Sequence, residues 1–459
     1  MAQGVTIDCA VMRPFPVVFR LLFPATLLFA AFVPAFGAPD NDPPAGIVLV
    51  ISDGTSQELL TAARIYAQGV NGRLPMESLP QTAIVRTHSR SDVVTDSAAA
   101  ATAMARGIKA DNLLIGMATR ASKASPPSLL DLARQAGWST GIVTDDSVTG
   151  ATEGPFLVEH RNRTEEAAIA AKTLPALGPR ADIVLGGGAK WFHDLSKTPG
   201  VQYKPEDLAI VRATAAKLDA AKVVAFDQWQ PFVDHVAGLT RTNDARPVLG
   251  TFYPAEFPFY ADGKRTLRIA DLAEQAVRFL RAKKRPFFLM VEAALPDKAC
   301  HLGHAKRAII EVLELNVLIE RLRATLPSRT LLLVTTDHNN GGLAISGPPV
   351  PIATRGDALL GPNPITKAAG ILSWATGPGF DQTAANTRVP AGANTPAVFK
   401  TPSDPDYAQP AAVKANAVEH TGGDVWLLGE GPGSEKVHGY LENTDIYRVI
   451  AGEIPGPRP

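Results

Sequence analysis

The segment IVLVISDG, residues 47–54, joins six uncharged residues to an acidic turn. Because both faces of such a run are apolar, it predicts a strand buried on both sides of a parallel sheet. Similar runs occupy residues 139–144, 182–185, 286–291 and 330–336. Helical patterns lie between them, among them residues 128–135, 267–283 and 305–326. This alternation predicts an α/β fold, a three-layer sandwich whose central, mostly parallel sheet is covered by helices on both faces.

The segment from about residue 345 to 415 departs from this alternation. It is rich in Pro, Gly, Asn and Thr, and the chain then continues with Glu419-His420. Such a composition predicts a loop-rich insertion that leaves the core and returns to it. We therefore expect residues 38–459 to form a single domain that carries this insertion.

The composition is that of an ordinary globular protein, with 46% hydrophobic and 20% charged residues among 459. The 45 basic and 45 acidic side chains cancel, so no nucleic acid is expected as a binding partner. There are two cysteines, Cys9 and Cys300, and Cys9 lies near the N-terminus. A disulfide framework and a cysteine-based zinc site are both excluded.

The N-terminus has the pattern of an export signal. Arg13 and Arg20 precede an apolar run at residues 21–36, and the small residues of 35–37 fit a cleavage site. We expect residues 1–37 to be a signal peptide, which predicts a periplasmic or secreted protein. Met12 is an alternative start of translation, because it opens a more conventional signal sequence.

A membrane anchor is the competing interpretation of this segment. The apolar run is barely long enough to span a bilayer, and Pro24 and Pro34 interrupt it. No stable membrane anchor is therefore expected.

Acidic residues follow three of the predicted strands at the point where each ends. Asp53 follows the first, Glu292 the fourth, and the pair Asp337-His338 the fifth. Ligands of open α/β sheets bind at the carboxyl ends of the strands, so these side chains can converge. One such acid is usually a helix cap or a solvated turn. Three of them, one beside a histidine, predict a site for a hard cation.

Asp297 and His301 are four residues apart at the start of a helical stretch. This spacing places a carboxylate and an imidazole on one helix face, where both can bind the same ion. The same spacing also occurs in simple surface pairs. His304, one turn further on, is a competing ligand.

The segment DSAAAATA, residues 96–103, predicts a tightly packed helix with Ser97 at its N-terminal end. Backbone N–H groups and the helix dipole favour an anion there. The simpler interpretation is that Asp96 or Ser97 only caps the helix. A nearby metal ion would favour Ser97 as a nucleophile, since an ion promotes deprotonation of its hydroxyl.

Two further segments bear on phosphate binding. Arg163 carries a planar guanidinium that can hold two phosphate oxygens at once, although most arginines are only solvated surface charges. The segment DIVLGGG, residues 182–188, matches neither a dinucleotide-binding motif nor a P-loop. It predicts a tight turn after a strand.

These pieces, in this order, resemble the alkaline phosphatase family. The matching stretches are ISDG (51–54), VTDSAA (94–99), VTGAT (148–152), LGGG (185–188), FFLMVE (287–292), TDH (336–338), EHTGGD (419–424) and GYLENTDI (439–446). Each motif is modest, but the ordered set is specific and extends over nearly the whole chain after the signal. The resemblance implies a hydrolase of small phosphomonoesters. It also implies a homodimer, because members of the family are often dimers.

The resemblance also implies a role for each matching residue. Ser97 would become phosphorylated, and Arg163 would clamp two phosphate oxygens. The implied ligands are Asp297, His301 and His420 for one zinc ion, Asp53, Asp337 and His338 for the other, and Asp53, Thr152 and Glu292 for a third ion, normally magnesium. Paired cations can stabilise both the entering and the departing oxygen of an in-line displacement.

Two positions depart from the family pattern. Gly150 stands where relatives usually carry an Asp or His that supports the third ion, and glycine offers no side chain for that purpose. This leaves the identity and occupancy of the third site open. Asn339 replaces an acid that is common after the Asp-His pair. Neither change touches the proposed two-zinc core.

Three alternatives compete with a phosphomonoesterase. A phosphodiesterase of the same superfamily would keep the metals, but the Arg163 clamp suits a terminal phosphate better than a bridging one. A sulfatase needs a Cys or Ser within C/S-x-P-x-R, which residues 96–100 lack. A secreted metal- or phosphate-binding protein without turnover would be expected to lack a nucleophile or a ligand, whereas every core position is filled.

Overall fold

The computed structural model describes residues 43–220, 222–242, 244, 246–346, 350–361, 371–389 and 398–456. The predicted signal peptide, residues 1–37, and the alternative start at Met12 lie outside the described residues. Within the described ranges, no helix has both the length and the apolar character that crossing a bilayer requires.

Strands and helices alternate along the chain. The strands are β1 (Gly46–Ser52), β2 (Gln81–Arg86), β3 (Ser139–Ser147), β4 (Ile183–Gly187), β5 (Val224–Phe226), β6 (Val248–Thr251), β7 (Phe287–Ala293), β8 (Thr330–Thr335), β9 (Asn339–Asn340), β10 (Ala344–Ile345), β11 (Leu372–Gly377), β12 (Thr387–Val389), β13 (Val398–Phe399), β14 (Ala411–Lys414), β15 (His420–Thr421), β16 (Val425–Glu430) and β17 (His438–Glu442). The α-helices are α1 (Gln57–Gln68), α2 (Ser97–Arg106), α3 (Leu129–Gln135), α4 (Gly154–Leu157), α5 (Glu166–Ala176), α6 (Pro205–Ala220), α7 (Trp229–Thr242), α8 (Ile269–Ala282), α9 (Leu295–His301), α10 (Ala305–Thr325), α11 (Gln382–Ala385) and α12 (Asn443–Glu453).

The central sheet has ten strands in the order β17-β2-β16-β8-β1-β7-β3-β4-β6-β5. All neighbours are parallel except β16, which runs antiparallel to both β2 and β8. Helices cover both faces, so the predicted three-layer α/β sandwich is confirmed. The five predicted strands correspond to β1, β3, β4, β7 and β8, and the three named helical patterns to α3, α8 and α10.

Each face of the sheet has its own apolar core. On β1, Val48 and Val50 contribute to one core, with α1, α8 and α10, while Leu49 contributes to the other, with α2, α3 and α12. The helices match this arrangement: in α8, Leu272 and Ala276 are fully buried at helical spacing. The apolar runs are therefore buried on both faces, as their composition requires.

The predicted insertion contains short elements. β10, β11 and β14 form a three-stranded sheet, and β12 pairs with β13. The return of the chain to the core is the pairing of β15 with β9, next to the end of β8. The description of residues 38–459 as one domain with an insertion stays a prediction.

Candidate metal centre and nucleophile

The ends of three adjacent strands bring the predicted acids together. β1 lies between β7 and β8, and Ile51 is in register with Glu292 on one side and Thr335 on the other. Asp53 follows β1 directly, and Asp337 follows β8 after one residue. β7 continues to Ala293, so Glu292 lies inside the strand and not after it. The acids share one edge of the sheet, as the position of strand ends predicts.

Gly54 allows close packing behind this edge. Its φ is +65°, and a Cβ there would lie 2.4 Å from Asp297 Oδ1. Its backbone N–H donates to Asp337 Oδ1 at 3.2 Å. A glycine is therefore required where the turn after β1 meets helix α9.

Helix α9 and strand β15 bring the remaining predicted ligands. Asp297 Oδ2 lies 3.2 Å from His301 Nε2 on the same helix face. His420 is in register with Asn340 of β9. Its Nε2 atom lies 3.1 Å from His301 Nε2 and 3.7 Å from Asp297 Oδ1. The i,i+4 pair and the distant His420 thus form one group.

Backbone carbonyls fix the tautomers of these two histidines. His301 Nδ1 lies 2.6 Å from Val418 O, and His420 Nδ1 lies 3.0 Å from Thr95 O. A carbonyl only accepts, so each Nδ1 donates and each Nε2 of the neutral ring carries a lone pair. Two lone pairs then face each other beside a carboxylate. This is the arrangement of histidines oriented to bind a metal ion.

The second group is buried, with His338 and Asp337 at most 1% exposed and Asp53 7% exposed. His338 Nε2 lies 3.4 Å from Asp53 Oδ1 and 3.2 Å from Asp337 Oδ2. These two carboxylate oxygens accept no hydrogen bond from any described residue. Buried carboxylate oxygens without donors are costly, and a divalent cation would satisfy them. The residues present therefore fit a metal ion.

Two trios bring their ligand atoms within 4.8 Å of one another in the described part of the chain: Asp53, Asp337 and His338, and Asp297, His338 and His420. The first trio is one predicted zinc set. In the second trio His338 stands where His301 was predicted, although His301 keeps its contact with Asp297. The structure thus brings all six predicted zinc ligands together.

The electrostatics of the centre reflect the crowding of like charges. Burial, and then the charge of Asp337, raises the pKa of Asp53 well above its usual range. Burial, followed by the charge of Asp297, raises the pKa of Asp337 to about 7. Burial and the neighbouring His420 lower the pKa of His338. These three shifts disfavour the charged form, whereas the contact between Asp297 and His301, despite their burial, lowers the pKa of Asp297 and raises that of His301.

Ser97 is the first residue of α2 and is 2% exposed. Asp96 caps the helix by accepting from Ala99 N at 3.0 Å. Ser97 Oγ instead lies 3.1 Å from His338 Nε2. The cap and the candidate nucleophile are therefore two adjacent residues, and the two interpretations of this segment are compatible.

Arg163 joins the site through Asp96. Its Nη1 lies 3.2 Å from Asp96 Oδ2, and its side chain is 30% exposed. It lines a cavity of about 270 Å³ together with Gly150, Trp191 and Lys298. An accessible guanidinium next to the start of α2 can contact an anion placed before Ser97.

The residues implied for a third ion are Asp53, Thr152 and Glu292, and Glu292 lies near both of the others. Glu292 is 1% exposed and accepts a hydrogen bond from Thr144 Oγ1 at 2.5 Å. The Thr152 hydroxyl is buried and has no hydrogen-bond partner among the described residues. Glu153 lies against Gly150, where an added Cβ would be 2.5 Å from Glu153 Oε2. Sequence reasoning missed Glu153, whose only signal was its place directly after Thr152.

Other predicted positions lie apart from the metal groups. His304 Nδ1 is 2.8 Å from Arg307 Nη1, and this histidine is not in either trio. Asn339 donates from Nδ2 to Asp424 O at 3.2 Å, which ties β9 to the segment after β15. The glycine-rich segment forms the end of β4 and the turn after it, as predicted.

Comparisons with known proteins agree with this geometry. The profile of the family described as alkaline phosphatase matches residues 45–454. The alkaline phosphatase of Escherichia fergusonii is 27% identical over 470 residues, covering 92% of this chain and 88% of that protein. The tissue-nonspecific alkaline phosphatase of Gallus gallus is 27% identical over 449 residues, covering 88% and 83%.

Solved structures show the same fold. The alkaline phosphatase of the Antarctic bacterium TAB5 gives a TM-score of 0.63 at 21% identity, covering 91% of this chain and 99% of that chain. The alkaline phosphatase of Thermus thermophilus gives 0.65 at 22% identity, covering 92% and 93%.

Proposed function

This chain belongs to the alkaline phosphatase family, and we propose that it hydrolyses phosphomonoesters through a phosphoserine formed on Ser97. In this proposal two zinc ions and a third ion occupy the strand-end centre. One observation carries it: Ser97 Oγ lies 3.1 Å from His338 Nε2, and His338 belongs to both ligand trios. The candidate nucleophile thus stands where the two metal groups meet.

The zinc ligands are the two predicted sets: Asp297, His301 and His420, and Asp53, Asp337 and His338. Bound divalent cations would neutralise the dianionic substrate and favour the alkoxide of Ser97. Asp53 Oδ1 and Asp337 Oδ2 support this assignment, since both are buried without a hydrogen-bond donor in the described chain.

The reaction has two displacements at phosphorus. Ser97 Oγ forms a bond to phosphorus as the ester P–O bond breaks, and the alcohol leaves with a proton. A water oxygen then bonds to phosphorus as the P–Oγ bond breaks, which releases phosphate and restores the serine. Two inversions predict overall retention of configuration.

Arg163 would hold two non-bridging phosphate oxygens in both steps. Its contact with Asp96 supports this role, because Asp96 immediately precedes Ser97 and fixes the guanidinium beside the nucleophile. The adjoining cavity, which Lys298 also lines, would accept part of the substrate.

Asp53, Thr152 and Glu292 would hold the third ion, which we assign as magnesium. Oxygen donors suit this cation, and the donor set here is two carboxylates and a hydroxyl. A variant of the TAB5 alkaline phosphatase, with a TM-score of 0.64 to this chain, has Mg bound in its M3 site. We also propose export to the periplasm or beyond, without a stable membrane anchor, and a homodimer.

A comparison of two substrates tests the proposed function. The zinc-loaded protein is assayed with p-nitrophenyl phosphate and with bis(p-nitrophenyl) phosphate, and acid-quenched samples are analysed for phosphorylated serine by mass spectrometry. We expect faster hydrolysis of the monoester and phosphate on Ser97. Faster hydrolysis of the diester would favour the phosphodiesterase alternative, and hydrolysis of neither would favour a binding protein.

A further inference from the structure

Glu153 is a buried acid that the proposed function does not use. It is 0% exposed and directly follows Thr152. Neither of its carboxylate oxygens has a hydrogen-bond partner among the residues described. An ionised carboxylate without donors is strongly disfavoured inside a protein, so this side chain needs a cation or a proton.

The Glu153 carboxylate occupies the space beside Gly150. A Cβ at Gly150 would lie 2.5 Å from Glu153 Oε2 and 3.4 Å from Asp146 Oδ2. The missing side chain at position 150 therefore leaves room that the end of Glu153 fills. The glycine and the glutamate belong to one local arrangement.

The surroundings of Glu153 are acidic. The Glu153 carboxylate lies beside the carboxylate of Glu292 and the hydroxyl of Thr144. Lys298 is paired with Asp146 Oδ2 at 3.0 Å, so that acid has its own cation. The hydroxyl of Thr152 is also buried and without a partner in the described ranges. Glu292 contacts both side chains, so Thr152, Glu153 and Glu292 meet at one place.

We propose that Glu153 binds the third ion, directly or through one water that the ion retains, and replaces the support that Gly150 cannot give. The site then has three carboxylates, from Asp53, Glu292 and Glu153, and the hydroxyl of Thr152. This all-oxygen set favours a hard cation such as Mg²⁺ over Zn²⁺. The inference rests on the proposed function for the third site and leaves the zinc residues unchanged.

Binding of Mg²⁺ to the zinc-loaded protein tests this assignment by isothermal titration calorimetry, with zinc content measured by mass spectrometry. Glu153→Gln keeps the shape and removes the charge. We expect Mg²⁺ affinity to fall by about 10- to 100-fold, with two zinc ions retained. Glu165→Gln, an exposed control on the same segment, should leave Mg²⁺ affinity unchanged.

A double variant tests whether the two positions exchange roles. Glu153→Ala frees the space beside Gly150, and Gly150→Asp then places a carboxylate in it. We expect Glu153→Ala alone to lose Mg²⁺ affinity and the double variant to regain most of it. Regain of binding also excludes misfolding as the cause of the first loss.

Unchanged Mg²⁺ affinity in folded Glu153→Gln protein would overturn the inference, because the Glu153 carboxylate would then not contribute to binding of the ion. In that case monoester hydrolysis by the zinc-loaded protein would leave the proposed function intact. Glu153-dependent Mg²⁺ binding in a protein that hydrolyses no monoester would support the site and overturn the proposed function.

Discussion

Two buried groups of acids in this molecule differ in where their positive charge comes from. In the first, the Arg265 guanidinium contacts Asp145 Oδ2 at 3.1 Å and Glu311 Oε2 at 3.2 Å, and all three side chains are at most 2% exposed. The remaining oxygens accept from backbone: Asp145 Oδ1 from Ala294 N and Glu311 Oε1 from Tyr260 N. Every carboxyl oxygen in this network has a donor from the chain.

In the strand-end centre, no Lys or Arg of the described residues forms an ion pair with Asp53 or Asp337. Asp53 and Asp337 each keep a buried oxygen without a hydrogen-bond donor in the described part of the chain. The difference indicates that the Arg265 network is structural and that the centre is built for external cations. The two regions are linked, because Asp145 Oδ1 accepts a hydrogen bond from Ala294 N. Ala294 immediately precedes helix α9, and this helix contains Asp297.

The largest effect is expected at Ser97, the proposed nucleophile of the strand-end centre. Ser97→Ala should lower the turnover of p-nitrophenyl phosphate by on the order of 10⁴-fold or more, since no other alcohol replaces the attacking oxygen. Ser128→Ala is the matched control, because Ser128 caps α3. It should cost about 1 kcal/mol of stability and leave turnover unchanged. Equal turnover of the Ser97 variant and the wild type would refute the proposed role.

The next largest effect is expected in the Arg265 network, which consists of Arg265, Asp145 and Glu311. Arg265→Met removes the guanidinium that contacts the buried carboxyl groups of Asp145 and Glu311, and it should lower the free energy of unfolding by about 3–5 kcal/mol. Added zinc should not restore this loss, and the further changes Asp145→Asn and Glu311→Gln should recover part of it. Urea unfolding gives the free energy of unfolding of the wild type, of Arg265→Met and of the variant with all three changes. A loss below about 1 kcal/mol, on the scale of an exposed pair, would contradict a structural role for this network.

A smaller effect is expected at Arg163, which we propose to hold two oxygens of the phosphate. Arg163→Lys keeps the charge but cannot hold two oxygens in one plane, so kcat/KM should fall by about 10- to 100-fold. Arg161→Lys changes an exposed arginine two residues away and serves as the control. Steady-state kinetics and inhibition by inorganic phosphate report the change. Identical constants for both variants would remove Arg163 from the site.

The smallest expected effect is the pH dependence of stability that arises from Glu311 in the Arg265 network. Burial raises the pKa of Glu311 to about 8, so the folded state holds a proton that the unfolded state has released. This contribution to stability is present below the unfolded pKa of about 4.5 and is lost as the pH rises through 8. From pH 7 to 8, stability should therefore fall, by at most about 1.4 kcal/mol from this group. Glu311→Gln should flatten that slope in urea unfolding, and an unchanged slope would contradict the assignment.

The sequence predicted those strands that have a continuous apolar run. β1, β7 and β8 are apolar on both faces, and their ends alone predicted where the acids converge. β2 was missed because its alternate residues are exposed, so it has no continuous apolar run. β5 is three residues long and gives too short a pattern.

The sequence predicted which side chains meet at the strand ends, but it predicted fewer of the contacts that hold them in place. The spacing of Asp297 and His301 predicted their contact, whereas His420 was placed only by resemblance. Arg265 meets Asp145 across 120 positions of sequence, and Glu153 meets Gly150 only through a turn. Such contacts arise from tertiary packing, and no local period predicts them.

Chelation tests most directly whether the strand-end centre requires metal ions for hydrolysis. Hydrolysis of p-nitrophenyl phosphate is measured before chelation, after removal of metal, and during titration with zinc in the presence of Mg²⁺, with bound metal counted at each step. We predict loss of activity on chelation and recovery that is complete at about two zinc ions per chain. A metal-free protein that hydrolyses the ester at the original rate would contradict this requirement.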